Sequence, residues 1–192
     1  MITYMFKKIC ITNRHLTDDL PGQIGRAIDR GADMIILREK DMAEAEYEEL
    51  ARNVLRLCEK RGTECFLHTF KDVAIRLGCR RIHLTMDDFR ALTEHERGAF
   101  EKIGVSTHTE EEAAECEKRG AAYVTASPVF ATDCKPGKAP AGLDYLHRVS
   151  QRVSIPVYAL GGIGEDNMEA CIHAGASGVC MMSGYMKRRE QE

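Results

Sequence analysis

The stretch IPVYALGGIGEDNMEACIHAGASGVCMMSG, Ile155–Gly184, holds two short apolar runs, "IPVYAL" and "GVCMMS", on either side of the helical pattern "EDNMEACIHAG". A strand, a helix and a second strand in that order call for parallel pairing, because the helix is the crossover that lets the next strand run the same way. Continuous apolar runs such as "VCMM" suit a sheet buried on both faces.

The same unit recurs along the chain. "KICIT" is followed by "GQIGRAIDRG", "MIILR" by "AEYEELARNVLRLCEKRG", "ECFLH" by "KDVAIRLG", and "RIHLT" by "DDFRALTEHERGAF". "KIGVS" then leads to "TEEEAAECEKRG", "AYVTAS" to "GLDYLHRVSQR", and "GVCMMS" to "GYMKRREQE". Gly31, Gly62 and Gly120, each after a charged last turn, read as helix stops. Eight strand–helix units predict one domain over residues 1–192, a single (β/α)8 TIM barrel, with an open doubly wound sheet as the alternative. The chain has 192 residues, fewer than the ~250 typical of this barrel, so its connections must be tight. The exception is "PVFATDCKPGKAPA", which follows the sixth strand and therefore belongs on the active-site face.

Composition narrows the function. With 44% hydrophobic residues and a net charge of -3 from 27 basic and 30 acidic side chains, the chain is globular and has no basic field for nucleic acid or an anionic membrane. No run approaches the roughly 20 apolar residues of a membrane span, and the lysines of "MITYMFKKICITNRHL" follow rather than precede any apolar core of a signal peptide. A cytoplasmic protein is expected. Its eight cysteines include no CxxC pair and are expected to be reduced and buried. No HExxH or EF-hand spacing appears, so no metal ligands and no cofactor are expected.

Candidate sites fall at strand ends. Gly161 and Gly162 after the seventh strand, and Ser183 and Gly184 after the eighth, predict a phosphate cradle of backbone N–H groups and a helix start. The alternative is a plain turn. In "LREKD", Arg38 and Lys40 share one side of an extended chain and could hold an anion, or form a solvated cluster with Glu39 and Asp41. Lys135 and Lys138 in the long loop carry the same double reading. His108, two residues past Ser106 at the end of the fifth strand, is placed for proton transfer. Equally, Ser106, Thr107 or Thr109 could cap the acidic helix start "TEEE" with His108 merely beside it. His83 reads as a strand residue in or around the barrel, His95, His147 and His173 as helix residues, and His68, which ends the third strand, as a further candidate.

Six stretches, "LREKD", "IHLTMDD", "IGVSTH", "SPVFATDCKPG", "SIPVYALGGI" and "AGASGVCMMSG", taken in this order, resemble the thiamine phosphate synthase superfamily, and specifically its thiazole tautomerase (TenI-like) branch. Against the synthase motifs, Ile36 stands at a glutamine position and His68–Thr69 at an Asn-Asp pair. One magnesium-binding aspartate is thereby lost and the other matches Asp88, while Thr132 and Lys135 match the loop motif. The resemblance implies a metal-free isomerase acting on a small phosphorylated thiazole carboxylate. His108 is then the acid–base residue, Arg38, Lys40, Ser106, Thr132 and Lys135 bind substrate, and the glycine loops hold its phosphate. A thiamine phosphate synthase, or a non-catalytic regulator binding thiazole or thiamine phosphate, are the alternatives. The brief tail "MKRREQE" leaves room for a homo-oligomer that completes the last helix.

Overall fold

A computed structural model describes residues 6–132 and 139–187. Among these, eight parallel strands close into a barrel in chain order. They are β1 (Lys7–Ile11), β2 (Met34–Leu37), β3 (Glu64–His68), β4 (Arg81–Leu84), β5 (Lys102–Thr107), β6 (Tyr123–Ala126), β7 (Val157–Leu160) and β8 (Gly178–Met181). Between them lie α1 (Leu20–Asp29), α2 (Glu44–Arg61), α3 (Lys71–Arg76), α4 (Met86–Ala91), α5 (Glu94–Gly98), α6 (Glu110–Lys118), α7 (Gly142–Arg152), α8 (Met168–His173) and, after β8, α9 (Ser183–Met186). This is the (β/α)8 barrel that the alternation predicts.

Side-chain alternation divides the apolar residues into two layers. Ile9, Ile11, Met34, Ile36, Phe66, Tyr123, Tyr158 and Cys180 fill the barrel interior. Their neighbours Cys10, Ile35, Leu37, Leu67, Ile82 and Val105 pack outward against the helices. The seven described cysteines are free and buried, small apolar fillers of these layers. No helix among the described residues is long and apolar enough to cross a membrane.

One expected helix divides. The stretch "DDFRALTEHERGAF" forms α4 and α5, because Thr93 makes a capping box with Glu96 and starts a new helix. Gly62 ends α2 in the left-handed conformation, as its position after Lys60 and Arg61 predicts.

Closure depends on β8 meeting β1, where Gly178 pairs with Lys7. A Cβ at Gly178 would lie 2.3 Å from the Lys7 carbonyl oxygen, a backbone atom that cannot step aside. Gly178→Ala is therefore expected to cost roughly 1–3 kcal/mol, read as a lower denaturation midpoint. An unchanged midpoint would show that the seam tolerates a wider spacing.

Candidate active site

Because all strands run the same way, their C-terminal ends surround one cavity of about 630 Å3. Its wall includes Arg38 and Lys40 after β2, His68 at the end of β3 and Thr69 after it, Asp87 and Asp88 after β4, and Ser106 in β5 with His108 just after it. Thr132, Gly161, Gly162 and Ser183 complete it on the β6 to β8 side. The structure thus brings together the candidate residues it describes, except Gly184, which does not line the cavity and whose carbonyl accepts from Arg30 at 2.9 Å. Lys135 and Lys138 lie outside the described residues.

Arg38 and Lys40 both face the cavity, as alternation requires, while Glu39 between them turns inward and is 2% exposed. Glu39 therefore belongs to no solvated cluster, whereas Asp41 pairs at the surface with Arg14 and His15. Its carboxylate accepts from the Thr12 hydroxyl at 2.6 Å and the Arg14 N–H at 3.0 Å, and Thr12 Oγ1 accepts from the Arg38 N–H at 2.9 Å. A buried carboxylate so satisfied fixes the turn that presents both cations. Glu39 escapes sequence reasoning because its partners are 25 and 27 residues away.

The loops after β7 and β8 supply backbone donors. Gly161 and Gly162 have φ of 108° and 63°, the left-handed region that favours glycine. A Cβ on Gly162 would come within 2.2 Å of the Ala131 carbonyl oxygen, so the glycines also admit the β6 loop. The N–H groups of Gly162, Ile163, Ser183 and Gly184 find no acceptor among the described residues. Gly162, Ile163 and Ser183 line the cavity, and such donors on neighbouring strand ends suit an anion.

His108 is anchored. Its ring Nδ1 lies 2.7 Å from the Ser127 carbonyl oxygen, which can only accept, so Nδ1 carries the proton and Nε2 is the basic nitrogen. Its backbone N–H donates to Glu112 at 2.7 Å. Thr109 caps α6 by accepting from the Glu112 N–H, so His108 has no capping duty.

Beneath the rim lies a polar floor, of which sequence reasoning singled out His68 as a candidate but not His83. His68 and His83 stack with ring centroids 5.5 Å apart, and His83 bonds Tyr123 and Ser106. Burial is the main cause that lowers both imidazoles, His83 to about 3, with the Arg38 charge a further cause. Both are therefore neutral near pH 7. Thr69, beside them, has φ 68°, unusual for a β-branched residue, and its hydroxyl lies 2.7 Å from His68 Nδ1.

A magnesium–diphosphate complex would need carboxylates, and the cavity offers Asp87 and Asp88 after β4 and Glu112 after β5, the last accepting from the His108 N–H. Asp87 and Asp88 line the cavity, with Asp88 Oδ2 accepting from the Thr85 hydroxyl at 2.7 Å, while Thr69 offers a hydroxyl held by His68. Among the described residues no group of three His, Cys, Asp or Glu side chains could hold a metal ion. Magnesium is usually held by one or two carboxylates together with substrate phosphates, so Asp88, where the resemblance places a magnesium ligand, would hold such an ion beside a bound diphosphate, and Arg38 and Lys40 line the same cavity.

Residues 9–185 match the family described as "Thiamine monophosphate synthase". The chain is 32% identical over 190 residues to the protein named thiamine-phosphate synthase of Syntrophomonas wolfei, covering 97% of this chain and 91% of that one. It is 36% identical over 183 residues to that of Halalkalibacterium halodurans, covering 93% and 86%. The thiamine phosphate pyrophosphorylase structure from Pyrococcus furiosus is similar with a TM-score of 0.84 at 27% identity, over 97% and 90% of the two chains. These near full-length relatives are named as synthases, which overturns the expectation of a tautomerase. Thr69 stands where the synthase motif has an aspartate, but Arg38 and Lys40 of the same motif set still line the cavity.

The two lowered histidines make stability depend on pH. Below the usual imidazole value of 6.5 and down toward 3, the unfolded chain takes up protons that the folded chain refuses, so stability falls as pH falls. The slope is up to about 1.4 kcal/mol per pH unit for each histidine. Denaturant unfolding at pH 7 and pH 5 should show this loss, and His68→Asn should reduce it. An identical loss in that variant would mean that His68 takes its proton in the folded protein.

Proposed function

Because the chain belongs to the thiamine monophosphate synthase family, we propose that it joins a pyrimidine bearing a methylene diphosphate to a phosphorylated thiazole and releases inorganic pyrophosphate. The observation that carries this reading is that one cavity holds two distinct anion-receptive groups. The cations Arg38 and Lys40 stand at the end of β2, and the backbone donors at Gly162, Ile163 and Ser183 stand at the ends of β7 and β8. Two phosphorylated substrates need two such groups.

In the reaction the thiazole ring nitrogen donates its lone pair to the methylene carbon, the carbon–oxygen bond breaks, and its electrons pass to the departing diphosphate. Holding both partners in line converts a bimolecular encounter into a local one. Arg38 is the planar, bidentate partner and Lys40 the point charge for the negative charge that grows on the leaving oxygen. The glycine loops fix the thiazole phosphate and so aim the ring nitrogen. Ser106 and Thr132 are placed to donate hydroxyl hydrogen bonds to bound substrate. The bond exchange moves no proton, so His108 enters as a hydrogen-bonding wall residue.

Pyrophosphate release should require both substrates together. No release with both present, by protein that binds each, would overturn the synthase reading in favour of a binding protein. Arg38→Ala should raise KM for the pyrimidine diphosphate roughly ten- to hundredfold, the range expected for a lost charge-assisted hydrogen bond. KM for the thiazole phosphate should change little. A rise confined to the thiazole substrate would reverse the assignment of the two ends.

A further inference from the structure

A hydrogen-bonded chain runs through the barrel interior to the cavity wall. Tyr123 Oη lies 2.9 Å from His83 Nδ1, and His83 Nε2 lies 2.8 Å from Ser106 Oγ. The Thr125 hydroxyl also donates to Ser106 Oγ, at 3.4 Å. His83 and Tyr123 are only 2% and 4% exposed, whereas Ser106 opens into the cavity. A barrel interior of this kind is ordinarily filled by branched aliphatic side chains, so this polar chain is a costly exception.

Its direction follows from counting protons. The Tyr123 phenol keeps its hydrogen, because burial pushes its ionisation far up, and the acceptor it meets among the described residues is His83 Nδ1. His83 is neutral and has one ring proton, which must then sit on Nε2 and be donated to Ser106 Oγ. With Thr125 donating to the same atom, both lone pairs of the Ser106 oxygen are engaged. Its own O–H is left to point into the cavity. Arg38 stands close enough for its charge to act on His83, so the hydroxyl and the guanidinium serve the same end of the site. The chain also accounts for Gly104: a Cβ there would fall 2.0 Å from Tyr123 Cζ, so the glycine makes the place where the phenol lies.

We infer that Tyr123 and His83 are positioning residues that turn the Ser106 hydroxyl into a fixed donor for phosphate oxygens of the bound diphosphate. The identity of that ligand rests on the synthase reading above; the direction of the chain does not. A serine free to rotate would spend part of its time presenting a lone pair to the anion, and the relay removes that state. The arrangement acts by preorganisation, and neither positioning residue need touch substrate.

Two measurements test it. Long-range proton–nitrogen NMR of labelled protein should show His83 in the Nε2–H tautomer, with Tyr123→Phe shifting it toward a mixture; an Nδ1–H tautomer in the unaltered protein overturns the inference. Titration with inorganic pyrophosphate should show roughly three- to tenfold weaker binding for Tyr123→Phe and for Ser106→Ala, as expected for one neutral hydrogen bond. The double variant should bind no more weakly than Ser106→Ala. Losses that multiply in the double variant, or unaltered protein that binds no pyrophosphate, overturn it. Absent turnover beside an intact non-additive cycle would remove the synthase reading and leave the relay standing.

Discussion

Everything at the site depends on closure of the barrel through β8 and β1. Parallel pairing of Lys7 with Gly178 and of Cys10 with Met181 joins the first strand to the last, and once the ring is closed all eight strand ends share one rim. Residues as far apart as Ile11 and Ser183 then line one cavity. The missing side chain at Gly178 lets the seam close to ladder spacing.

Closure also makes an interior, and this interior is unusual on the side of the site. Ile9, Ile11, Met34, Ile36 and Phe66 give it an apolar filling, but His68, His83 and Thr125 are buried among them. Neutral imidazoles tolerate such a place only when hydrogen-bonded, and each has a partner. Tyr47 does similar service behind the wall, donating to the Leu37 carbonyl at 2.7 Å and accepting from the His68 N–H at 3.0 Å. The polar groups lie below the cations and cost stability as pH falls, which is reasonable if they serve the chemistry above.

The fold was legible because strand–helix alternation is a local signal repeated eight times. Arg38 and Lys40 were legible too, since the two-residue period of an extended chain puts them on one side. Glu39 was not, because only the fold brings Thr12 and Arg14 to it. His83 looked like an ordinary strand residue for the same reason: Tyr123 and Ser106 are 40 and 23 residues away. His108 was legible as a rim residue from its place two residues past Ser106 at the end of a strand, and it lines the cavity. His68 and Thr69 depart from the synthase motif, but two positions do not decide the reaction when the near full-length relatives are named synthases. The break between α4 and α5 was readable in the Thr93–Glu96 spacing, which the longer helical pattern concealed.

The account turns on one cavity receiving two anions at once. A crystal structure of the protein with inorganic pyrophosphate and the thiazole phosphate would test this most directly. Pyrophosphate is predicted against Arg38, Lys40 and the Ser106 hydroxyl, with the thiazole phosphate on the backbone N–H groups of Gly162, Ile163 and Ser183. Both ligands competing for the glycine loops, with Arg38 and Lys40 turned to solvent, would contradict it.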